Sequence, residues 1–246
     1  MKIGIAGLGI LGSTIYNTLR SKHEVTVYDP PKKLFGDLWE CDVVFICVPV
    51  DNKSGKQDLS NVVDVLKKTN PMSAIFLRST VLPGTTDKLK KKYKRIMWAM
   101  PEFLTERRAA EDFHNLPILT GGGWIVLGDL FPGKEMLIMS NVEAELSKYG
   151  HNVLGTMKVF TANLIHRQVM KFKANKDKVK DGILMSKLIN DVHIDCPGPD
   201  GKKGFAGKCF PKDLKAFSFL FSGEERKLLE SVLRINLKHR YNRKRR

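Results

Sequence analysis

Lys2-Ile3-Gly4-Ile5-Ala6-Gly7-Leu8-Gly9-Ile10-Leu11-Gly12 opens the chain, and Glu24-Val25-Thr26-Val27-Tyr28-Asp29 follows one helix-length later. Residues 2–6 read as a short apolar strand that runs straight into a glycine turn. Ile10 to Leu19 then carries apolar residues at helical spacing, and a second strand ends in an acid. Strand, glycine turn, helix, strand and acid is the order a dinucleotide-binding fold requires. Gly7 permits the tight turn, Gly9 lets backbone approach a pyrophosphate, and Gly12 lets helix and strand pack closely. Ile10 and Leu11 begin the helix whose N-terminus faces the phosphates. Asp29 is placed to accept hydrogen bonds from adenosine ribose hydroxyls and to repel a 2′-phosphate, which favours NAD over NADP. Lys32 and Lys33 blunt that preference, since both suit an extra phosphate.

Outward from this unit, strands are legible at Val43 to Val48, Ala74 to Leu77 and Arg95 to Ala99. Helices are expected at Leu59 to Lys68 and Thr85 to Tyr93. Such alternation implies a parallel sheet covered on both faces. Short apolar runs at Pro117 to Thr120 and Trp124 to Leu127 flank Gly121-Gly122-Gly123, and Glu135 to Met139 suits another strand. From Asn141 to about Phe172 the pattern becomes one long helix with Leu146, Tyr149, Val153, Met157, Phe160, Leu164 and Val169 as its apolar stripe. Shorter helices are expected at Asp177 to Leu188, Leu214 to Phe221 and Glu224 to Tyr241. The fold class is α/β: a Rossmann-like doubly wound parallel sheet over 1–140, followed over 141–246 by a mostly helical domain with a long central helix. A long helix of this kind commonly binds a partner helix, so a homodimer through it is expected.

With 246 residues, 42% hydrophobic and 28% charged, the chain has the make-up of a soluble globular protein of one large or two modest domains. No apolar run reaches the ~18 residues of a membrane span, and the start turns glycine-rich too early for a signal peptide, so a cytoplasmic location is expected. A formal charge of +16 suits anionic ligands. Its densest parts are Lys88 to Arg95 and the run Arg240 to Arg246. No helix-turn-helix, RNP or zinc pattern accompanies them, so a nucleic-acid reader is not expected.

Cys41, Cys47, Cys196 and Cys209 show neither a Cys-x-x-Cys pair nor histidines at metal spacing, so no disulfide framework or metal site is indicated. Cys41 and Cys47 read as core. Cys209 differs, lying in Gly204-Phe205-Ala206-Gly207-Lys208-Cys209-Phe210-Pro211-Lys212-Asp213. Flanking lysines and a helix start near Pro211 favour the thiolate, as a nucleophile needs. Asp213 stands ready to handle protons. Alone, a cysteine in a glycine-rich turn is more often structural.

Across almost its whole length the chain resembles the UDP-glucose/GDP-mannose 6-dehydrogenase family. The resemblance rests on the glycine turn, Val44-Phe45-Ile46-Cys47-Val48-Pro49, Arg78-Ser79-Thr80-Val81-Leu82-Pro83-Gly84-Thr85-Thr86 and Pro101-Glu102-Phe103-Leu104-Thr105-Glu106. It extends to Glu143 through Asn152 and is most specific at the cysteine segment. It implies a four-electron oxidation of a nucleotide-sugar C6 alcohol to the carboxylate with two NAD. Cys209 would form a thiohemiacetal and then a thioester. Lys148 and Asn152 would hold the substrate oxygen, Asp213 would take the alcohol proton through water, and Glu102 would assist thioester hydrolysis. Thr80 would hold that water and touch the cofactor. Val48, Pro49, Lys33, Glu106 and Lys212 match cofactor-side positions. The bland readings are a solvated face for Lys148 and Asn152, a helix start at Glu102 and a cap at Thr80.

The family pattern is not matched throughout. Ala206 replaces a glycine, Met100 an asparagine, and the arginine expected shortly before the cysteine loop is absent from 185–196. The stretch between Gly123 and Asn141 looks short by a helix. Family members continue into a second nucleotide-binding domain, whereas this sequence ends about one helix after Asp213, so much remote binding energy is expected to be missing. Two other readings remain: a β-hydroxyacid-type dehydrogenase, which needs no cysteine, and a non-catalytic NAD- or nucleic-acid-binding protein.

Overall fold

A computed structural model describes residues 1–53 and 55–241; Asn242 to Arg246 of the basic run lie outside it. The chain divides into two compact units, Met1–Lys148 and a second from Tyr149 onward.

The first unit begins β1 (Lys2–Ala6), α1 (Ile10–Leu19), β2 (Glu24–Asp29), β3 (Leu34–Phe35) and β4 (Val43–Ile46). A polar hairpin, β5 (Asp51–Lys53) and β6 (Lys56–Asp58), leads to α2 (Ser60–Lys68), β7 (Ala74–Leu77), α3 (Thr85–Tyr93) and β8 (Ile96–Ala99). The main sheet runs β3-β2-β1-β4-β7-β8, parallel except for the antiparallel edge strand β3. Its inner strands are apolar on both faces and pack two clusters, one with Val44, Ile46, Ile75 and Leu77, the other with Ile3, Ile5, Phe45 and Phe76. The chain leaves β1 first towards β2 and then towards β4, which makes the carboxyl ends of β1 and β4 a topological switch point where a crevice opens.

Beyond β8 come α4 (Ala109–Asn115), β9 (Ile118–Thr120), α5 (Trp124–Leu130) and β10 (Met136–Ile138), which pairs in parallel with β9. The short apolar run Trp124 to Leu127 is the start of a helix. Gly123 turns left-handed at φ 69, and Leu127 and Leu130, three apart, enter the core.

The expected boundary at 140/141 lies at the start of α6 (Asn141–Lys171), whereas the division observed falls inside it. The first two turns belong to the first unit because their side chains are tied there. Asn141 accepts from the Ala99 N–H at 2.8 Å and donates to Asp87 at 2.6 Å. Glu145 accepts from Gly84 N, Thr86 N and Thr86 Oγ1 at 2.6 to 2.8 Å.

In the second unit α6 continues and is followed by α7 (Lys176–Leu184), α8 (Phe210–Ser218) and α9 (Gly223–Tyr241). Phe205, Leu214 and Val232 are buried against Val153, Met157 and Phe160 of α6. Two members of the expected α6 stripe, Leu146 and Leu164, are exposed instead. Among the described residues no helix is long and apolar enough to cross a membrane, and no cluster of His, Cys, Asp or Glu could hold a metal ion.

Candidate active site

The glycine turn is built as its sequence demands. Gly7 has φ 90, and a Cβ there would lie 2.8 Å from the Cys47 carbonyl oxygen; one on Gly12 would collide with the Gly7 carbonyl. Gly9 caps α1 and faces open space, so the helix N-terminus can be approached by an anion. Ile10 and Leu11 supply the first helical turn. Asp29 ends β2 with Oδ2 accepting from Leu8 N at 2.7 Å, while Lys32 Nζ donates to Leu8 O at 2.5 Å. Lys33 follows with a left-handed backbone, φ 56. An open cradle of backbone N–H groups beside a buried carboxylate fits a dinucleotide.

Across the switch point, Ser79 Oγ donates to Val48 O at 2.6 Å and Arg78 N donates to Ile46 O at 2.9 Å. These bonds button the loop carrying Thr80 to the one carrying Val48 and Pro49. Gln57 of β6 braces it further, donating to Thr80 O and accepting from Leu82 N. After β8, Glu102 accepts from Leu104 N through Oε2 and from Lys148 Nζ at 3.2 Å through Oε1. Glu102 and Lys148 are 8% and 4% exposed, and the Phe103 ring centre is 5.3 Å from Lys148 Nζ. Glu102 therefore starts no helix. Glu106 is exposed on the turn before α4.

In the second unit, Cys209 is exposed at the N-cap of α8, and its carbonyl accepts from Asp213 N at 2.8 Å. Asp213, 1% exposed, is held at 2.6 Å on each oxygen by Asn152 Nδ2 and Lys212 Nζ. The other cysteines are poor nucleophiles: burial pushes the Cys41 and Cys47 thiols up to about 11 and raises that of Cys196. Lys148 and Asn152, each 4% exposed, are not a solvated face.

The cysteine loop has supports that the sequence reading missed. Asn163 Oδ1 accepts from Gly204 N at 2.8 Å, and Asn236 brackets Phe205 with a donated and an accepted bond. Arg240 donates to the Gly204 and Lys203 carbonyls and pairs with Asp200. The available signal was two asparagines on helices at positions that face a core. The loop's left-handed residues are Gly204 and Gly207, so Ala206 occupies a position where glycine's freedom is not required.

The NAD-binding-domain pattern of the UDP-glucose/GDP-mannose dehydrogenase family matches residues 32–123, and the family's central-domain pattern matches 142–238. The chain belongs to this family. NAD is accordingly its cofactor, and the activity of the family is that of a nucleotide-sugar dehydrogenase. A protein named UDP-glucose 6-dehydrogenase from Rickettsia bellii is 31% identical over 222 residues, 81% of this chain and 50% of that protein. The chain spans about half the length of the curated relatives it matches. Its fold is shared with a UDP-glucose dehydrogenase from Pyrobaculum islandicum at 24% identity, TM-score 0.82, covering 96% of this chain and 67% of that one. It is also shared with a 3-hydroxyisobutyrate dehydrogenase from Mycobacterium tuberculosis at 18% identity, TM-score 0.74, covering 98% and 95%.

Proposed function

We propose that the chain oxidises the C6 alcohol of a nucleotide sugar, of the UDP-glucose kind, to the carboxylate through a covalent bond to Cys209. The observation that carries this reading is the buried Asp213 carboxylate, held by Asn152 and Lys212 one turn after an exposed, N-capping cysteine. NAD, when bound, accepts a hydride at each of the two oxidation levels. Gly7, Gly9, Gly12, Ile10 and Leu11 would seat its pyrophosphate, Asp29 and Lys33 its adenosine end, and Val48, Pro49, Thr80, Glu106 and Lys212 its remaining length.

An aldehyde has no hydride to give until a nucleophile adds to its carbonyl. Cys209 Sγ adds to that carbon, and the carbonyl π pair becomes an alkoxide on oxygen. Lys148 and Asn152, one turn apart on α6, stabilise that charge. Loss of hydride leaves the thioester; water activated by Glu102, with Thr80 holding it, attacks the acyl carbon, and the Cys209 thiolate leaves. Asp213 takes the proton of the alcohol in the first oxidation. A helix N-terminus favours the thiolate that both ends of this cycle require.

A second copy of the chain, packed through α6, is part of the proposal, supported by Leu154 and Met170 on that helix and Phe172 just after its end, all mostly exposed. The deciding measurement is NADH formed per nucleotide sugar consumed. Two per sugar, with Cys209→Ser making no carboxylate, supports the proposal. One per substrate with a 3-hydroxy acid and no dependence on Cys209 would establish the β-hydroxyacid reading in its place.

A further inference from the structure

Behind the Lys148–Glu102 pair stands a second buried cation. Arg78 follows the last residue of β7 and is 2% exposed, and its Nε has no hydrogen-bond acceptor among the described residues. Its guanidinium carbon lies 5.8 Å from the centre of the Phe113 ring. Arg78, Glu102 and Phe113 line one cavity of about 20 Å³, room for about one water and far too little for a sugar. The charged and titratable groups facing Glu102 come from three elements: Arg78 after β7, Cys47 after β4 and Lys148 on α6. Burial pulls Arg78 down from its ordinary value, opposed by the Cys47 thiol and the Glu102 carboxylate. The Cys47 thiol, pushed up to about 11, stays neutral at pH 7 and offers no counter-charge. Lys148 thus pairs with Glu102 directly, and a second buried cation, Arg78, lines the same small cavity as that carboxylate.

An excess buried charge is unfavourable in the resting protein and becomes favourable when an opposite charge arrives. We propose that Arg78 is a positioning residue: it is the standing counter-ion of Glu102, and it leaves the Lys148 ammonium with charge to spare for an oxygen turning negative. This deepens the reading of Lys148 given above and rests on it for its effect on turnover. The pairing of Arg78 with Glu102 does not.

Two measurements test it. In the activity arm, Arg78→Met lowers kcat for NADH formation at least tenfold while NAD affinity stays within threefold, and Arg78→Lys recovers at least a third of the loss. An unchanged kcat in Arg78→Met overturns the proposal. In the second arm, the Arg78 Nε–H resonance of the 15N-labelled chain shifts, and its hydrogen exchange accelerates at least tenfold, on the near-isosteric change Glu102→Gln. The exposed control Glu135→Gln leaves both unaltered. A resonance indifferent to Glu102→Gln overturns the proposal. This arm needs no turnover and no folded Arg78 variant, so it decides for Arg78 even if the wild-type chain makes no NADH and the proposed function falls.

Discussion

Asn152 and Asp213, far apart in sequence, meet at 2.6 Å, and Lys212 closes on the other carboxylate oxygen at the same distance. The carboxylate is buried on a short helix capped at its N-terminus by Cys209. Removing one partner of such a pair strands the other, at about 1–3 kcal/mol, whereas removing both is far milder. Asn152→Leu should therefore lower urea-unfolding stability by about 1–3 kcal/mol, and Asn152→Leu with Asp213→Leu should recover at least half. Additive losses in the double variant would show that the bond holds nothing together.

Thiol reactivity should rank the cysteines. Thiols raised to about 11 leave Cys41 and Cys47 with on the order of one molecule in a thousand as thiolate at pH 8. Brief iodoacetamide treatment followed by peptide mass spectrometry should find Cys209 modified first and those two at least a hundredfold more slowly. Prior saturation with NAD and nucleotide sugar should protect Cys209. Early modification of Cys47 would contradict its raised thiol value.

Much of this was legible because it rests on periodicity or on fixed spacing. The helix Thr85–Tyr93, the strand Ala74–Leu77 and the glycine turn emerge where their residues predict. The hairpin Asp51–Lys53 and Lys56–Asp58 left no trace, since neither strand buries an apolar face and the alternation that signals a strand is absent. Trp124 to Leu130 is under two turns long, too brief for a period of 3.6 to be told from a run. In the site, Cys209, Asp213 and Lys148 stood out by residue type, but Asn163, Asn236 and Arg78 act through backbone or buried partners that only folding brings near. A sequence shows that an asparagine is present; it does not show which peptide it brackets.

The second unit should lose stability in mild acid. Burial lowers the His166 and His239 values, with nearby cations adding to it, so the unfolded chain binds protons first as pH falls. Stability contributed by the neutral rings is complete above about pH 6.5 and is lost as pH drops through the lower folded values. His239 stacks on Phe160 and its Nε2 is buried without a partner among the described residues. His239→Phe keeps the stack and removes the proton site. Thermal melts from pH 7.5 to 5 should show a shallower decline for this variant, and parallel curves would refute the assignment.

Lys94 offers a stabilising change far from the chemistry. It ends α3 with a left-handed backbone, φ 50, its N–H donating to Lys90 O. A side chain there costs about 1 kcal/mol that glycine does not pay. Lys94→Gly should raise stability by about 0.5–1 kcal/mol in urea titration with NAD affinity unchanged.

Asp29 tests the cofactor reading without turnover. Its carboxylate holds Leu8 N and its charge repels a 2′-phosphate, while Lys32 is already bound to Leu8 O. Asp29→Asn keeps an acceptor for Leu8 N and removes the charge. NAD affinity should fall about tenfold, consistent with loss of one charge-assisted bond, and NADP affinity should rise or hold, because Lys33 then meets the extra phosphate unopposed. Equal losses for both cofactors would place the ribose elsewhere than at the end of β2.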